Sequence, residues 1–257
     1  MATMKPVNAT IIEIRNETPS VRSFVFDVSF DFTPGQYVMV WIRGIDEIPM
    51  SLSDHNTITV QNVGDATSAL FRLVIGDTVG LRGPYGNGFD LHDPVLLVAG
   101  GVGAAPLAPL AEAATGQGFD VLTLIGARTG SELLFQRRFE VAGAVRIATD
   151  DGSAGFHGLV TDLNEIADGR TSRHIYSCGP EQMMYALLQR LDEQAIERAR
   201  FSLHRHIKCG LGICGACCID PSGARACVDG PVFRGAALVD SEFGRYRRGA
   251  DGVRIRL

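Results

Sequence analysis

The chain has 257 residues, 46% of them apolar, and a formal net charge of −5 at pH 7. That length allows one large domain or two to three small ones with real cores. The absence of a basic block argues against nucleic acid as a partner. Residues 1–14 lack the charged start and apolar run of a secretory signal, so a cytoplasmic protein is expected.

From residue 7 to about 89 the pattern is one of short strands. Residues 10–14, 21–28, 36–42, 57–61 and 78–81 are β-rich runs, most of them separated by turn residues. Strands this short and frequent predict a small antiparallel barrel. From about residue 94 to 199 the grammar changes to strand then helix. Residues 95–99 form a continuous apolar run, as in a strand buried on both faces. Residues 107–114 then read as helix, 121–126 as strand, 132–141 as helix, 144–149 and 174–178 as strands, and 181–198 as helix. In the last, Met184, Leu187, Leu188, Leu191 and Ala195 recur at helical spacing and predict a core-facing stripe. This zone reads as an open parallel α/β sheet.

Residues 95–111 are uncharged and mostly apolar. Gly100, Gly101, Gly103, Pro106 and Pro109 interrupt them, and the run barely reaches bilayer length, so no membrane span is expected. From about residue 201 the chain is Gly- and Cys-rich, with too little apolar material for a core of its own. Small units of this kind usually need a metal or a staple. The expected fold class is α+β and multidomain: an antiparallel β-barrel, a parallel α/β domain and a small C-terminal domain.

Six cysteines are present, and five lie between Cys209 and Cys227. A secreted disulfide framework would be spread over a small, loop-rich chain, so local crowding points to metal. Cys209, Cys214 and Cys217 show C-x4-C-x2-C spacing, and Cys227 follows after nine intervening residues. This is the plant-type arrangement for a 2Fe–2S cluster. Such a cluster carries net negative charge, so backbone N–H groups must turn toward its sulfurs. Gly210, Gly212 and Gly215 permit that path. Structural zinc prefers two short-spaced pairs, and a four-iron cluster usually takes C-x2-C-x2-C. A Rieske centre would replace two cysteines by histidines. His204 and His206 lie nearby, but four cysteines suffice, which leaves the histidines as packing or polar contacts. Cys218 adjoins Cys217 and is expected to point elsewhere as a buried free thiol.

The run from Ala99 to Pro106 follows the buried strand and opens a helix. Its Gly101 and Gly103 would let backbone amides approach a pyrophosphate at the helix N-terminus. Pro106 stands in place of the third small residue of G-x-G-x-x-G, so the turn by itself serves packing as readily as nucleotide binding. Cys178-Gly179-Pro180 follows a later strand and would open at the same sheet edge. Arg128 follows the second strand of the zone, where a cofactor ribose would lie. No acidic residue there clearly selects NAD, and Arg128 would suit a 2′-phosphate.

Three further stretches stand out: Pro49-Met50-Ser51-Leu52, Gly83-Pro84-Tyr85-Gly86-Asn87-Gly88-Phe89, and Cys227-Val228-Asp229-Gly230-Pro231-Val232-Phe233. With these, nearly the whole chain resembles the ferredoxin–NADP reductase superfamily of flavoproteins. Within it, the chain is most similar to the electron-transfer subunit of the NAD-linked, two-subunit dihydroorotate dehydrogenase. The resemblance implies that Pro49, Met50, Ser51 and Leu52 contact the flavin, with Val60, Gln61, Asn62, Thr67 and Ser68 as further contacts. It implies that Gly101, Gly103, Cys178, Gly179 and Pro180 serve NAD. Two departures bear on flavin binding: Ile48 stands where the family has Arg, and Thr67-Ser68 where Gly-Thr is usual. FAD would belong to a barrel over residues 1–92, NAD to an α/β domain over 93–202, and the 2Fe–2S cluster to residues 203–257. The implied partner is an FMN-containing catalytic subunit that oxidises dihydroorotate in pyrimidine biosynthesis, within a heterotetramer. The chain itself would supply no general acid or base. Two rivals remain open: an FAD/2Fe–2S module of another complex, such as a hydrogenase or sulfur reductase, and a non-enzymatic binding module or redox sensor.

Overall fold

The fold is that of a computed structural model, and it describes residues 5–249 and 251–257. Part of the stretch expected to lack a secretory signal, residues 1–4, lies outside the described residues.

The strands β1 (Val7–Thr18), β2 (Val21–Phe26), β3 (Tyr37–Ile42), β4 (Asp46–Asp54), β5 (Thr57–Gln61) and β6 (Thr78–Tyr85) close a barrel in the order β1-β2-β5-β4-β3-β6. Every pairing in it is antiparallel. The strand period of two sends Ile11, Phe24, Val38, Val40, Leu52, Ile58 and Leu81 inward, each no more than 1% exposed. Burying each such side chain contributes about 1.5–3 kcal/mol.

Two elements here were not legible in the sequence. A proline inside a run argues against a strand, yet β4 contains Pro49 and is held by its ladder to β3 from Asp46 to Ser51. The helix α1 (Asp65–Arg72) is the other. The Thr67 hydroxyl oxygen accepts from the amides of Val63 at 2.9 Å and Gly64 at 3.0 Å, and so fixes its first turn.

The second zone contains β7 (Val95–Gly100), α2 (Ala104–Gly116), β8 (Val121–Ala127), α3 (Gln136–Ala142), β9 (Ala144–Thr149), β10 (Phe156–His157), β11 (His174–Cys178), α4 (Glu181–Arg190), α5 (Glu193–Arg198) and β12 (Ala199–Ser202). Its strands pair in parallel in the order β10-β9-β8-β7-β11-β12. Val95 to Ala99 are all 0% exposed, as their unbroken apolar run requires. The 95–111 stretch is therefore central strand, turn and helix. Among the described residues no helix is long and apolar enough to cross a membrane.

Two helices differ from expectation. The helix expected over 132–141 begins only at Gln136, because Phe135 before it adopts a left-handed φ of 60°. The helix expected over 181–198 is broken at Leu191, and the Asp192 carboxylate restarts it by accepting from the Ala195 amide at 2.8 Å. The expected stripe survives the break: Met184, Leu187, Leu188, Leu191 and Ala195 are all buried.

The remaining strands are β13 (Cys218–Ile219), β14 (Ala224–Arg225), β15 (Val232–Arg234), β16 (Tyr246–Arg248) and β17 (Arg254–Arg256). β15 adds antiparallel to β12, with Phe233 opposite Phe201, and so extends the parallel sheet. Cys217, Cys227, Phe233 and Phe243 then share one core with Leu96, Leu187 and Phe201. The tail with too little apolar material thus borrows the core of the sheet.

The hairpin β16–β17 is anchored by Asp220, whose carboxylate accepts from Tyr246 and Arg248 at 2.9 Å and from Arg254 at 3.0 Å. The Arg248 hydrogen bond, then that of Tyr246, holds the Asp220 carboxyl below the usual carboxylate range. A depressed folded pKa means the anchor contributes fully above the unfolded value of about 3.9 and is lost as pH falls through the lower folded value. Limited proteolysis by an acid-active protease should therefore find the hairpin resistant near pH 5 and progressively cut below pH 4. Equal cutting at both would contradict this anchor.

Candidate functional site: four thiols beside two adjoining clefts

The loop from Cys209 to Cys217 is shaped by Gly210, Gly212 and Gly215, at φ values of 68°, 74° and 72°. Side chains avoid this region, and glycine enters it without penalty. The path turns backbone amides inward, and Leu211 N–H donates to the Cys209 sulfur at 3.4 Å. Burial alone would push the Cys209 thiol up, but the amides of Cys214, Leu211 and Ile213 and the Cys214 thiol bring it down to about 6. Cys227 is paired instead with Cys217. Its own burial and that neighbour push it up to about 12.

Cys214 thus neighbours Cys209 and Cys217 neighbours Cys227, with Cys209 also felt at Cys227. Among the described residues no three metal-ligating side chains converge as around a single metal ion. Two thiol pairs, with amides directed at sulfur, fit a binuclear iron–sulfur cluster with two ligands per iron. Cys218 is held in β13 opposite Arg225, half-buried and free, with burial raising its thiol.

Barrel side chains reach this loop, Tyr37 and Arg82 through hydrogen bonds. Tyr37 in β3 donates its hydroxyl to the Cys227 carbonyl at 3.1 Å. Arg82 in β6 donates to the Cys209 carbonyl at 3.1 Å, while Glu47 accepts from it at 2.6 and 2.7 Å. Cys209 and Cys227 are therefore both tied to the barrel. A third tie is Asn87, whose side chain donates to the carbonyls of Asp229 and Val232 and accepts from the Val232 amide, at 3.0–3.1 Å. The Gly83–Phe89 and Cys227–Phe233 stretches, prominent separately in the sequence, are bound together here. Asn87→Ala leaves three backbone groups without these partners. It should lower stability by about 1–3 kcal/mol in chemical denaturation, and an unchanged midpoint would refute the tie.

Tyr37 also lines a cleft of about 380 Å³ between the barrel, the start of α2 and the segment that enters the cysteine loop. Pro49, Met50 and Ser51 line it, with Gln61 and Thr67. The ladder between β4 and β5 runs only through Leu52↔Ile58 and Asp54↔Thr57. Beyond it the strands part and turn Pro49–Ser51 toward the cleft. An apolar slot with a few hydroxyl and amide groups suits a flat, partly polar ring system. Leu52 and Val60 are in the barrel core, so their side chains do not reach the cleft. Ile48, on the same inward face of β4, packs on that core. The Thr67 oxygen is occupied at the turn of α1, and Ser68 donates to Asn62 at 2.8 Å.

A second cleft of about 800 Å³ adjoins the first, sharing Gln61, Val63, Val102 and His204 with it. It lies over the C-terminal ends of β7, β8 and β11, and Asn62, Gly101, Gly179 and Pro180 line it. In parallel α/β sheets ligands bind at this edge. Gly101 takes φ of 51°, and a Cβ there would meet nothing within 4 Å. A Cβ on Gly103 would collide with the Cys178 carbonyl. Gly101 is thus open to the cleft, while Gly103 permits close packing of the turn on β11. Gly103→Ala should cost about 1–3 kcal/mol or more by overpacking, against about 1–2 kcal/mol of backbone strain for Gly101→Ala. Thermal unfolding of the two variants separates them, and equal losses would refute the distinction. Cys178 is buried, which raises its thiol to about 12, and it meets the His204 ring nitrogen at 3.8 Å.

The match to a family model covers residues 204–239, with the iron–sulfur cluster binding domain of dihydroorotate dehydrogenase B. A protein of Methanocella arvoryzae, named a probable dihydroorotate dehydrogenase B (NAD(+)) electron transfer subunit, is 54% identical over 99% of this chain and 100% of its own length. One of the same name from Methanocaldococcus jannaschii is 45% identical over 98% of each chain. The chain belongs to the family of dihydroorotate dehydrogenase B electron transfer subunits. A solved structure of the NADH-dependent reduced ferredoxin–NADP oxidoreductase shares 33% identity, with a TM-score of 0.80 over 89% of this chain and 88% of that one. The flavohaem-like FAD/NAD-binding domain of a Vibrio cholerae nitric oxide dioxygenase, 23% identical with a TM-score of 0.67 over 77% of this chain and 98% of that one, shares the fold.

For this member of the electron transfer subunit family, sequence reasoning missed several wall residues: Tyr37, Thr59, His204, Arg205 and Pro231. Tyr37 and Thr59 sit inside strands, where an aromatic or a hydroxyl reads as ordinary sheet. His204 was expected to be a packing or polar contact and stands at the junction of the two clefts. The Nε2 atom of His206 is buried without a hydrogen-bond partner among the described residues.

Proposed function

We propose that this chain is the electron-transfer subunit of an NAD-linked dihydroorotate dehydrogenase of pyrimidine biosynthesis, working in the cytoplasm. Its partner would be an FMN-containing catalytic subunit in a heterotetramer. The observation that carries this reading is the single side chain, Tyr37, that lines the smaller cleft and bonds to the Cys227 backbone. That contact supports a flavin site and a cluster site lying side by side.

Within this reading FAD lies across the smaller cleft. Pro49, Met50, Ser51, Gln61 and Thr67 contact it, and Leu52 and Val60 contribute through backbone alone. Asn62 and Ser68 lie at the outer rim. Cys209, Cys214, Cys217 and Cys227 ligate the 2Fe–2S cluster. NAD occupies the larger cleft, over Gly101, Gly179 and Pro180, with Gly103 and Cys178 setting the approach of the two turns. The barrel would span residues 1–92, the NAD unit 93–202 and the cluster unit 203–257. When bound, the flavin would exchange hydride with nicotinamide and single electrons with the cluster. The protein orients these groups, excludes water between them and sets their potentials. The carbon chemistry belongs to the partner.

Anaerobic affinity purification from the native cells, with visible spectra and mass spectrometry of co-eluting chains, tests the reading. An FMN-bearing, dihydroorotate-oxidising chain is the expected partner, with flavin and 2Fe–2S absorbance in the complex. A hydrogenase or sulfur-reductase chain instead would move the function. A colourless lone chain would overturn both function and cofactors.

A further inference from the structure

The larger cleft ends at the tips of β8 and β9, where Arg128, Glu132 and Asp150 line it. Arg128 is the residue that, by sequence, would suit a 2′-phosphate. In the fold its charge is offset by a carboxylate. Glu132 grips its guanidinium through both carboxylate oxygens, Nε–Oε2 at 3.1 Å and Nη2–Oε1 at 2.7 Å. The two are four residues apart, and the short helical turn Gly130–Glu132 brings the carboxylate back over the strand end. Backbone bonds fix the neighbouring tip: Asp150 N–H donates to the Ala127 carbonyl at 3.1 Å, and Asp151 N–H to that of Arg128 at 3.2 Å. Asp151 spends its own carboxylate on Ser153. The exposed Asp150 carboxylate makes no side-chain hydrogen bond among the described residues, and its charge reaches the Arg128 guanidinium.

The wall therefore carries one cation and two anions. A phosphate entering there meets two carboxylates, and one guanidinium cannot neutralise both. A ribose hydroxyl, in contrast, donates to a free carboxylate at no electrostatic cost.

We propose that Glu132 and Asp150 make this cleft select the dinucleotide with a free adenosine 2′-hydroxyl over its 2′-phosphorylated form. Glu132 acts by offsetting the charge of Arg128, and Asp150 by accepting from the hydroxyl. The inference rests on the larger cleft being the nicotinamide dinucleotide site, and it names the residues that set preference within that site.

The test is equilibrium binding of NADH and NADPH to the flavin- and cluster-loaded protein. Wild type should bind NADH at least about tenfold more tightly, the factor that one unfavourable charged contact supplies. Glu132→Gln should narrow the affinity ratio by up to about fivefold, because the charge of Arg128 is no longer offset. Adding Arg128→Ala to that variant should restore the ratio, and Asp150→Asn alone should narrow it too. Glu132 is partly and Arg128 largely exposed, so these variants should fold, and melting curves verify it. A wild-type ratio near one, or a ratio unmoved by Glu132→Gln in folded protein, overturns the assignment of Glu132 and Asp150. Tight binding of both dinucleotides would do so while leaving the cleft's reading intact. Binding of neither would bring down that reading and this inference together.

Discussion

Cys214→Ser is expected to strip the 2Fe–2S cluster from the purified protein while leaving most of the flavin and the fold. Cys214 is exposed at the tip of the loop and belongs to none of the hydrophobic cores. Its loss removes one thiolate of the Cys209 pair and little packing. The smaller cleft is built from other residues, from β3, β4 and β5 to the 202–207 segment. Cys217 and Cys227 differ, because both are buried in the core shared with the parallel sheet. Serine at either should cost the cluster and also stability, since a hydroxyl placed in an apolar core without a partner costs about 1–3 kcal/mol. Iron and sulfide content, the electron paramagnetic resonance of the reduced protein and the flavin absorbance give the first comparison. Chemical denaturation gives the second. A full-strength cluster signal in Cys214→Ser would refute the ligand assignment, and identical stabilities of the 214 and 227 variants would refute the distinction between rim and core ligands.

Arg205→Met should be among the most destabilising single changes in the chain. Arg205 is 2% exposed and held between Glu181, 9% exposed, and Glu242, 0% exposed. The bonds to Glu181 are 2.6 and 2.9 Å, and Nε lies 3.3 Å from Glu242. Glu181 opens α4 just after Gly179-Pro180. Arg205 lies on the segment entering the cysteine loop, and Glu242 accepts from the Asp220 amide at 3.1 Å. One buried cation thus joins the nucleotide edge of the sheet, the cluster loop and the C-terminal anchor. Removing it strands two carboxylates out of water, and breaking such a buried pair costs about 3–5 kcal/mol. In a chain of this size that is a fall in melting temperature on the order of 10 °C. A second substitution, Glu242→Gln, should recover part of the loss because one stranded charge goes with it. A melting temperature within error of wild type for Arg205→Met would refute the role. So would a further fall in the double variant.

Much of this was legible from local patterns. Apolar runs and alternation marked the strands, because burial on one or both faces writes a period directly into the chain. The cysteine spacing and its three glycines announced an iron–sulfur loop for the same reason: ligand geometry and left-handed φ values are local demands. Elements were missed where a side chain's role depends on a distant partner. Pro49 disguises β4, which its ladder to β3 holds straight at that point. Nothing within residues 181–198 shows that the helix must break so that Asp192 can restart it.

The sequence by itself determined the fold class and singled out the four cysteines as a set, since each rests on periodicity or spacing over a few residues. The tertiary structure alone decided how the parts work together. It brought Tyr37 of the barrel to Cys227, 190 positions away, and Asn87 to Val232. It drew Arg205 between two carboxylates from separate elements, and it set the carboxylate of Glu132 against the charge of Arg128. Contacts between residues far apart in the chain depend on packing the whole molecule, and for Arg128 the side chain's partner, more than its type, sets the charge that a ligand meets.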